Sequence, residues 1–135
     1  MKRRTFIILA GAGAAAIAIP FAIRQRHHNT LAEPLGHPDF LGHICDDATV
    51  RDIGMAYRSR NPNEMQEDEL VSMLIETAGE DKRRVKTAID STRVLEKLDG
   101  AIRDDYAAGR VVTVKGWILS LTEARQCALY SLSHQ

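Results

Sequence analysis

Two cysteines, four prolines, one Trp, three Tyr and three Phe are a sparse inventory for a chain of 135 residues. Cys45 and Cys127 stand 82 residues apart, so C-x-x-C, haem-attachment and iron–sulfur spacings are excluded. His27-His28 are adjacent, and His37 and His43 are six apart, with no ligand spacing that favours a metal over ordinary solvated histidines. The adjacent carboxylates Asp46-Asp47 and Asp104-Asp105 would face different sides of a helix, which suits capping and solvation better than paired acid–base work. Nor can a Ser-His-Asp or Cys-His arrangement be placed. Nothing in this inventory specifies catalysis or a cofactor held by the chain itself.

Charge is also missing where it says most. Residues 6–23 contain no charged side chain, and half of them are Ala or Gly. As a helix this run would be about 27 Å long, just short of a hydrocarbon core of roughly 30 Å. Ahead of it stands Met1-Lys2-Arg3-Arg4-Thr5-Phe6-Ile7, and Arg24 and Arg26 follow it. Arg3, Arg4 and Phe6 form the pattern of a twin-arginine export signal, an address read by a receptor. Lys2 departs from that pattern, as does Ile8. Ala16-Ile17-Ala18, with Pro20 just beyond, is a poor cleavage site. The segment is expected either to remain as a membrane anchor through residues 6–23 or to be removed. A plain signal-anchor helix is the simpler alternative. In each case the basic N-terminus stays inside and later residues lie in the periplasm or on the outer face of the cytoplasmic membrane.

The neutral total of 18 basic and 18 acidic residues hides an asymmetry. After Arg26 the count is 13 Lys and Arg against 18 Asp and Glu, a net charge of −5. That argues against nucleic acid as a partner, because such binding rests on basic contacts to phosphate. The expected organisation is a signal or anchor over residues 1–26, a tether over 27–37 and one small domain over 38–135. With so few aromatics the core should be modest, which suits a subunit that completes its burial against another protein.

The domain reads as all-α in the main, with about four helices and a short extended arm. Asp47 is a candidate N-cap for a helix over Ala48–Ser59, with Val50, Ile53 and Tyr57 on one stripe. A second helix is expected from about Glu64 to Thr77, facing inward through Leu70, Met73, Leu74 and Thr77. A long one should cover Asp81–Ala108, with Val85, Ile89, Leu95, Ile102 and Tyr106 as its stripe, a kink or break at Gly100, and Gly109 as its left-handed stop. Arg110–Lys115 is β-branched but has no evident partner strand, hence the arm. Ser120-Leu121-Thr122-Glu123 has the form of a capping box, and Leu119 can staple onto Ala124. The helix that follows should face inward through Leu121, Ala124, Ala128 and Leu132.

Three side-chain questions follow. Outside the cytoplasm Cys45 and Cys127 are candidates for a disulfide, whereas a protein folded before export would keep them as two buried thiols. Both readings stay open. Trp117 is either core filling or an interface anchor. Arg125 stands near a helix N-terminus, where the dipole does not help it. It is read either as paired with a specific carboxylate, Asp104 or Asp105 being the candidates, or as a solvated arginine with its stem on the core.

The run Asp105-Tyr106-Ala107-Ala108-Gly109-Arg110-Val111-Val112 and the block Gly116-Trp117-Ile118-Leu119-Ser120-x-Thr122-Glu123-Ala124-Arg125 carry a family likeness. Phe40-Leu41-x-x-Ile44-Cys45-Asp46-Asp47 and Ile53-Gly54-x-x-Tyr57 add to it. These pieces, about a third of the body, resemble small twin-arginine-signalled accessory proteins of the gluconate 2-dehydrogenase small-subunit (subunit 3) family. The resemblance implies a noncatalytic partner of a flavin-dependent, membrane-associated sugar or alcohol dehydrogenase, with FAD in the large subunit. A free-standing, envelope-anchored binding or structural module is the alternative.

Overall fold

The computed structural model describes residues 29–135, so the twin-arginine pattern, the uncharged run and His27-His28 lie outside the described residues. The body is mainly helical, as expected. Its elements run α1 (Ala32–Leu35), α2 (Asp39–Ile44), α3 (Asp47–Arg60), a 3₁₀ turn (Pro62–Glu64), α4 (Glu67–Thr77), α5 (Ala88–Ala108), β1 (Val111–Val114), β2 (Trp117–Ser120) and α6 (Leu121–Ser133). Among the described residues no helix is long and apolar enough to cross a membrane.

α6 is the centre. Its residues from Thr122 to Ser131, Arg125 apart, are buried, so it is enclosed nearly all round instead of showing the single inward face expected. α3 packs on it most extensively, and α4, α1 and α5 complete the ring. The capping box at its start is present as read: Ser120 Oγ accepts from the Glu123 amide at 3.0 Å, and Glu123 Oε2 accepts from the Ser120 amide at 3.0 Å. Leu119 and Ala124 are both buried beside it. The contact with α3 depends on Gly54. A Cβ there would lie 1.9 Å from the Cys127 carbonyl oxygen and 2.4 Å from its carbon, so the two backbones meet with no side chain between them.

Several expectations are corrected. The cap of α3 is Asp46, whose carboxylate accepts from the Thr49 amide at 2.8 Å, and not Asp47. The stripe Val50, Ile53 and Tyr57 is buried as read. The segment expected to be helical from Glu64 divides, because Pro62–Glu64 forms a separate 3₁₀ turn, and α4 buries Leu70, Val71, Leu74 and Ile75 while Thr77 is exposed. The long helix starts seven residues later than read. Thr87 and Asp90 make a reciprocal capping box there, and residues 81–84 form a turn. Its inward line is Ser91, Val94, Leu98 and Asp105, whereas Ile89 is 80% exposed and Tyr106 47% exposed. Polar Ser91 and Asp105 take core positions, which displaces a stripe drawn through apolar residues alone.

The extended arm is in fact half of a hairpin. β1 pairs antiparallel with β2, Val114 opposite Trp117 and Val111 opposite Ser120. Lys115 (φ 51°) and Gly116 (φ 84°) are both left-handed, the conformation of a two-residue turn that matches strand twist. The stretch read as a tether holds α1, whose Ala32 and Leu35 are buried, so from Asn29 onward it belongs to the packed body.

α5 runs through Gly100 without a break, and a Cβ added there would meet open space. Gly100→Ala is therefore expected to stabilise the body by about 1 kcal/mol, the usual helix-interior difference between these residues. A urea-denaturation midpoint that stays put or falls would contradict this.

Candidate interaction face

Helix α6 begins in a knot of polar groups, and each has a local reason. The first amides of a helix lack intrahelical acceptors. Here the Leu121 amide donates to the Arg110 carbonyl at 3.0 Å, the Thr122 amide to Asp105 Oδ2 at 3.0 Å, and the Glu123 amide to Ser120 Oγ. Asp105 also accepts from Thr122 Oγ1 at 2.7 Å and from Arg110 Nε at 2.8 Å. Burial pushes its carboxyl pKa up, but the bonds from Thr122 and Arg110 together hold it below the ordinary 3.8. Tyr106 Oη donates to Glu123 Oε2 at 2.7 Å, and burial, then that carboxylate, raises the phenol to about 12. The hairpin, the end of α5 and the start of α6 are thus tied by carboxylates that already hold donors.

A second carboxylate joins elements much farther apart in sequence. Glu64 accepts a two-pronged bond from Arg125, Nε to Oε2 and Nη2 to Oε1, both at 3.0 Å. Tyr57 Oη donates to the same Oε2 at 2.7 Å. Arg125's bond lowers the Glu64 pKa and, with Tyr57's help, outweighs the desolvation that opposes it. This corrects the expectation for Arg125: its partner is Glu64 on the 3₁₀ turn, while Asp105 pairs with Arg110. Spacing could not reveal a pair 61 residues apart. Asp105, Thr122 and Glu64 were likewise not foreseen as a network. For Asp105 and Thr122 the only signal in the sequence is their place in the family-like blocks; Glu64 lies outside those blocks.

The other candidate residues stand apart from this network. Trp117 is half-buried on β2 and packs against the core cluster. Cys45 and Cys127 are free thiols. Cys45 Sγ lies 3.1 Å from the Leu41 carbonyl, and Cys127 is fully buried, its thiol pushed far up by desolvation. Among the described residues no group of three or more His, Cys, Asp or Glu is placed to hold a metal ion.

What the body does present is a groove of about 580 Å³ between α2 and the second half of α5. Phe40, Pro38, Ile102 and Tyr106 line it, with Asp39, His43, Asp99 and Arg103 around them and Glu123 contributing from α6. Phe40 is 71% exposed and Ile44, on the same short helix, 55%. Large apolar side chains cost free energy when left in water, so a groove edged by Phe40 suits capture of an apolar side chain from another molecule. Its carboxylates and its arginine can orient such a guest.

No protein-family model, curated protein or solved structure matches the chain.

Proposed function

We propose that this chain is a noncatalytic accessory subunit that carries or anchors a folded, flavin-dependent sugar or alcohol dehydrogenase across or at the membrane. The observation that carries the reading is Arg3-Arg4-x-Phe6 ahead of an uncharged run, on a small body whose best-connected carboxylates serve its own fold. The twin-arginine route moves folded proteins, and a partner loaded with FAD is what most needs to be folded before export. The family-like blocks support the same partner class. The Phe40 groove offers it a seat.

Arg3→Lys with Arg4→Lys keeps the charge but removes the guanidinium groups that the receptor reads. In this double variant, both the chain and any flavoprotein that co-purifies with the wild type should remain inside the cell. Normal extracytoplasmic accumulation would end the twin-arginine reading. Purification of the exported wild type with no flavin-containing companion would favour the free-standing envelope module. Phe40→Ser should release the companion and leave the melting temperature of the body unchanged.

A further inference from the structure

We propose that the loop at residues 82–86 is a membrane-contact surface that takes anionic phospholipid headgroups beside the point where the chain enters its folded body. The inference rests on the anchored reading of residues 6–23. On a body of net charge −5, Lys82, Arg83, Arg84 and Lys86 fall within five consecutive positions, and all four are exposed. Val85 in their midst is buried and pins the loop to the core. The Arg83 amide donates to Asp81 Oδ1 and the Arg84 amide to the Asp81 carbonyl, both at 2.9 Å, and the Lys86 amide donates to Asp90 Oδ2 at 3.1 Å. The backbone is held while the cations point outward. Among the described residues Arg83, Arg84 and Lys86 show no side-chain hydrogen bond or ion pair.

The neighbouring acids are mostly engaged. Glu80 pairs with Arg93 and Lys97, and Asp90 caps α5 and meets Arg93. Glu69 and Glu76 on α4 line a surface hollow with Lys82. Position then selects the partner. Asn29 Nδ2 donates to Asp68 Oδ1 at 2.9 Å, Ser72 Oγ to the Asp68 carbonyl at 2.6 Å, and Lys82 Nζ to Ser72 Oγ at 2.8 Å. Three consecutive hydrogen bonds along α4 thus join the first described residue to the first lysine of the loop. Asn29 is six residues beyond the end of the uncharged run, a reach of at most about 20 Å when fully extended. A bilayer holding residues 6–23 therefore lies close to the loop. A short apolar run rich in Ala and Gly is a weak anchor, and a basic patch is the kind of second signal that makes anchoring stable. Nucleic acid fits less well, because the acidic body offers a phosphate chain no basic track to follow.

The test uses the full chain with vesicles of phosphatidylcholine alone and of phosphatidylcholine mixed equally with phosphatidylglycerol. Arg83→Gln, Arg84→Gln and Lys86→Gln together should weaken partition into the mixed vesicles at least tenfold, given about fivefold per basic residue at an anionic surface, and should not alter partition into the neutral ones. Arg83→Lys with Arg84→Lys should bind like the wild type, as a charge effect requires. Equal partition of wild type and triple variant into the mixed vesicles would overturn the proposal and leave the anchor standing. Failure of the wild type to bind neutral vesicles would count against the anchor itself. If inorganic phosphate at matched ionic strength abolishes the preference for mixed vesicles, the loop is a site for soluble phosphate and the lipid assignment falls.

Discussion

Gly54→Ala is expected to destabilise the body by about 3 kcal/mol or more, lowering Tm by roughly 10–20 °C. The new Cβ would fall within 3 Å of the Cys127 carbonyl oxygen and carbon and of the Ala128 nitrogen, all of them backbone atoms that cannot swing aside. Helices α3 and α6 would have to separate, and that is the most extensive helix contact in the body. Helix propensity works the other way, favouring Ala by about 1 kcal/mol, so the contact must outweigh a real gain. Gly100→Ala isolates the two effects: the same substitution, in a longer helix with open space around it, should have the opposite sign. If both variants shift the denaturation midpoint in the same direction, close backbone packing at Gly54 is not what holds α3 to α6.

The second large effect belongs to Glu64 and Arg125. Their side chains are 14% and 20% exposed, and removing either leaves the other charge largely out of water without its partner. Arg125→Ala or Glu64→Gln should each cost about 3 kcal/mol, the low end for broken buried pairs because some solvent still reaches this one. A double-mutant cycle between Glu64→Ala and Arg125→Ala should return strong coupling, and coupling near zero would show the fork to be incidental. The pair also sets an acid limit. Glu64 titrates below its ordinary 4.5 in the folded body, so the unfolded chain takes up the proton first as pH falls. The stability this pair contributes is intact above that ordinary value and is lost progressively as pH drops toward and through the folded one. Asp105, likewise held below 3.8, adds a second loss as pH falls below that ordinary value. Glu64→Gln should therefore show a flatter dependence of stability on pH below about 4.5, and a slope equal to that of the wild type would remove Glu64 from the account.

What could be read from the residues was whatever depends on neighbours within a turn or two. The Ser120–Glu123 box, the Val50-Ile53-Tyr57 stripe and the stop at Gly109, which adopts φ 72°, all follow from local spacing and from glycine's left-handed freedom. The Thr87–Asp90 box is just as local, but an apolar stripe extended back to Val85 hides it, because Val85 is buried from the loop and not from the helix. The hairpin was harder. Its turn places lysine at a left-handed position where Asn or Gly would have flagged it, and β2 runs straight into α6 with no intervening loop. Tertiary pairs were beyond reach. Arg125 showed that it needed a carboxylate, but Asp104 and Asp105 are near in sequence and Glu64 is near only in space. In Ile53-Gly54-x-x-Tyr57 the glycine marks a crossing whose other half is 73 residues away. The groove is not legible in the sequence: Tyr106 reads as a core stripe residue and Phe40 only as part of a family-like block, and their meeting depends on how α2 lies against α5.

The enclosure of α6 also governs when the body can form. α1, α3, α4 and α5 are all made before the helix around which they pack. As each emerges from the ribosome, Val50, Ile53, Leu74 and Leu98 lack the central helix on which they close, and the contacts of α1, α4 and α5 with one another are few, so these side chains remain open to solvent or to a chaperone. Folding must therefore follow synthesis of α6 and cannot accompany that of the earlier helices. A chain interrupted anywhere before Leu121 is a set of amphipathic helices without a centre, and quality-control proteases should clear it.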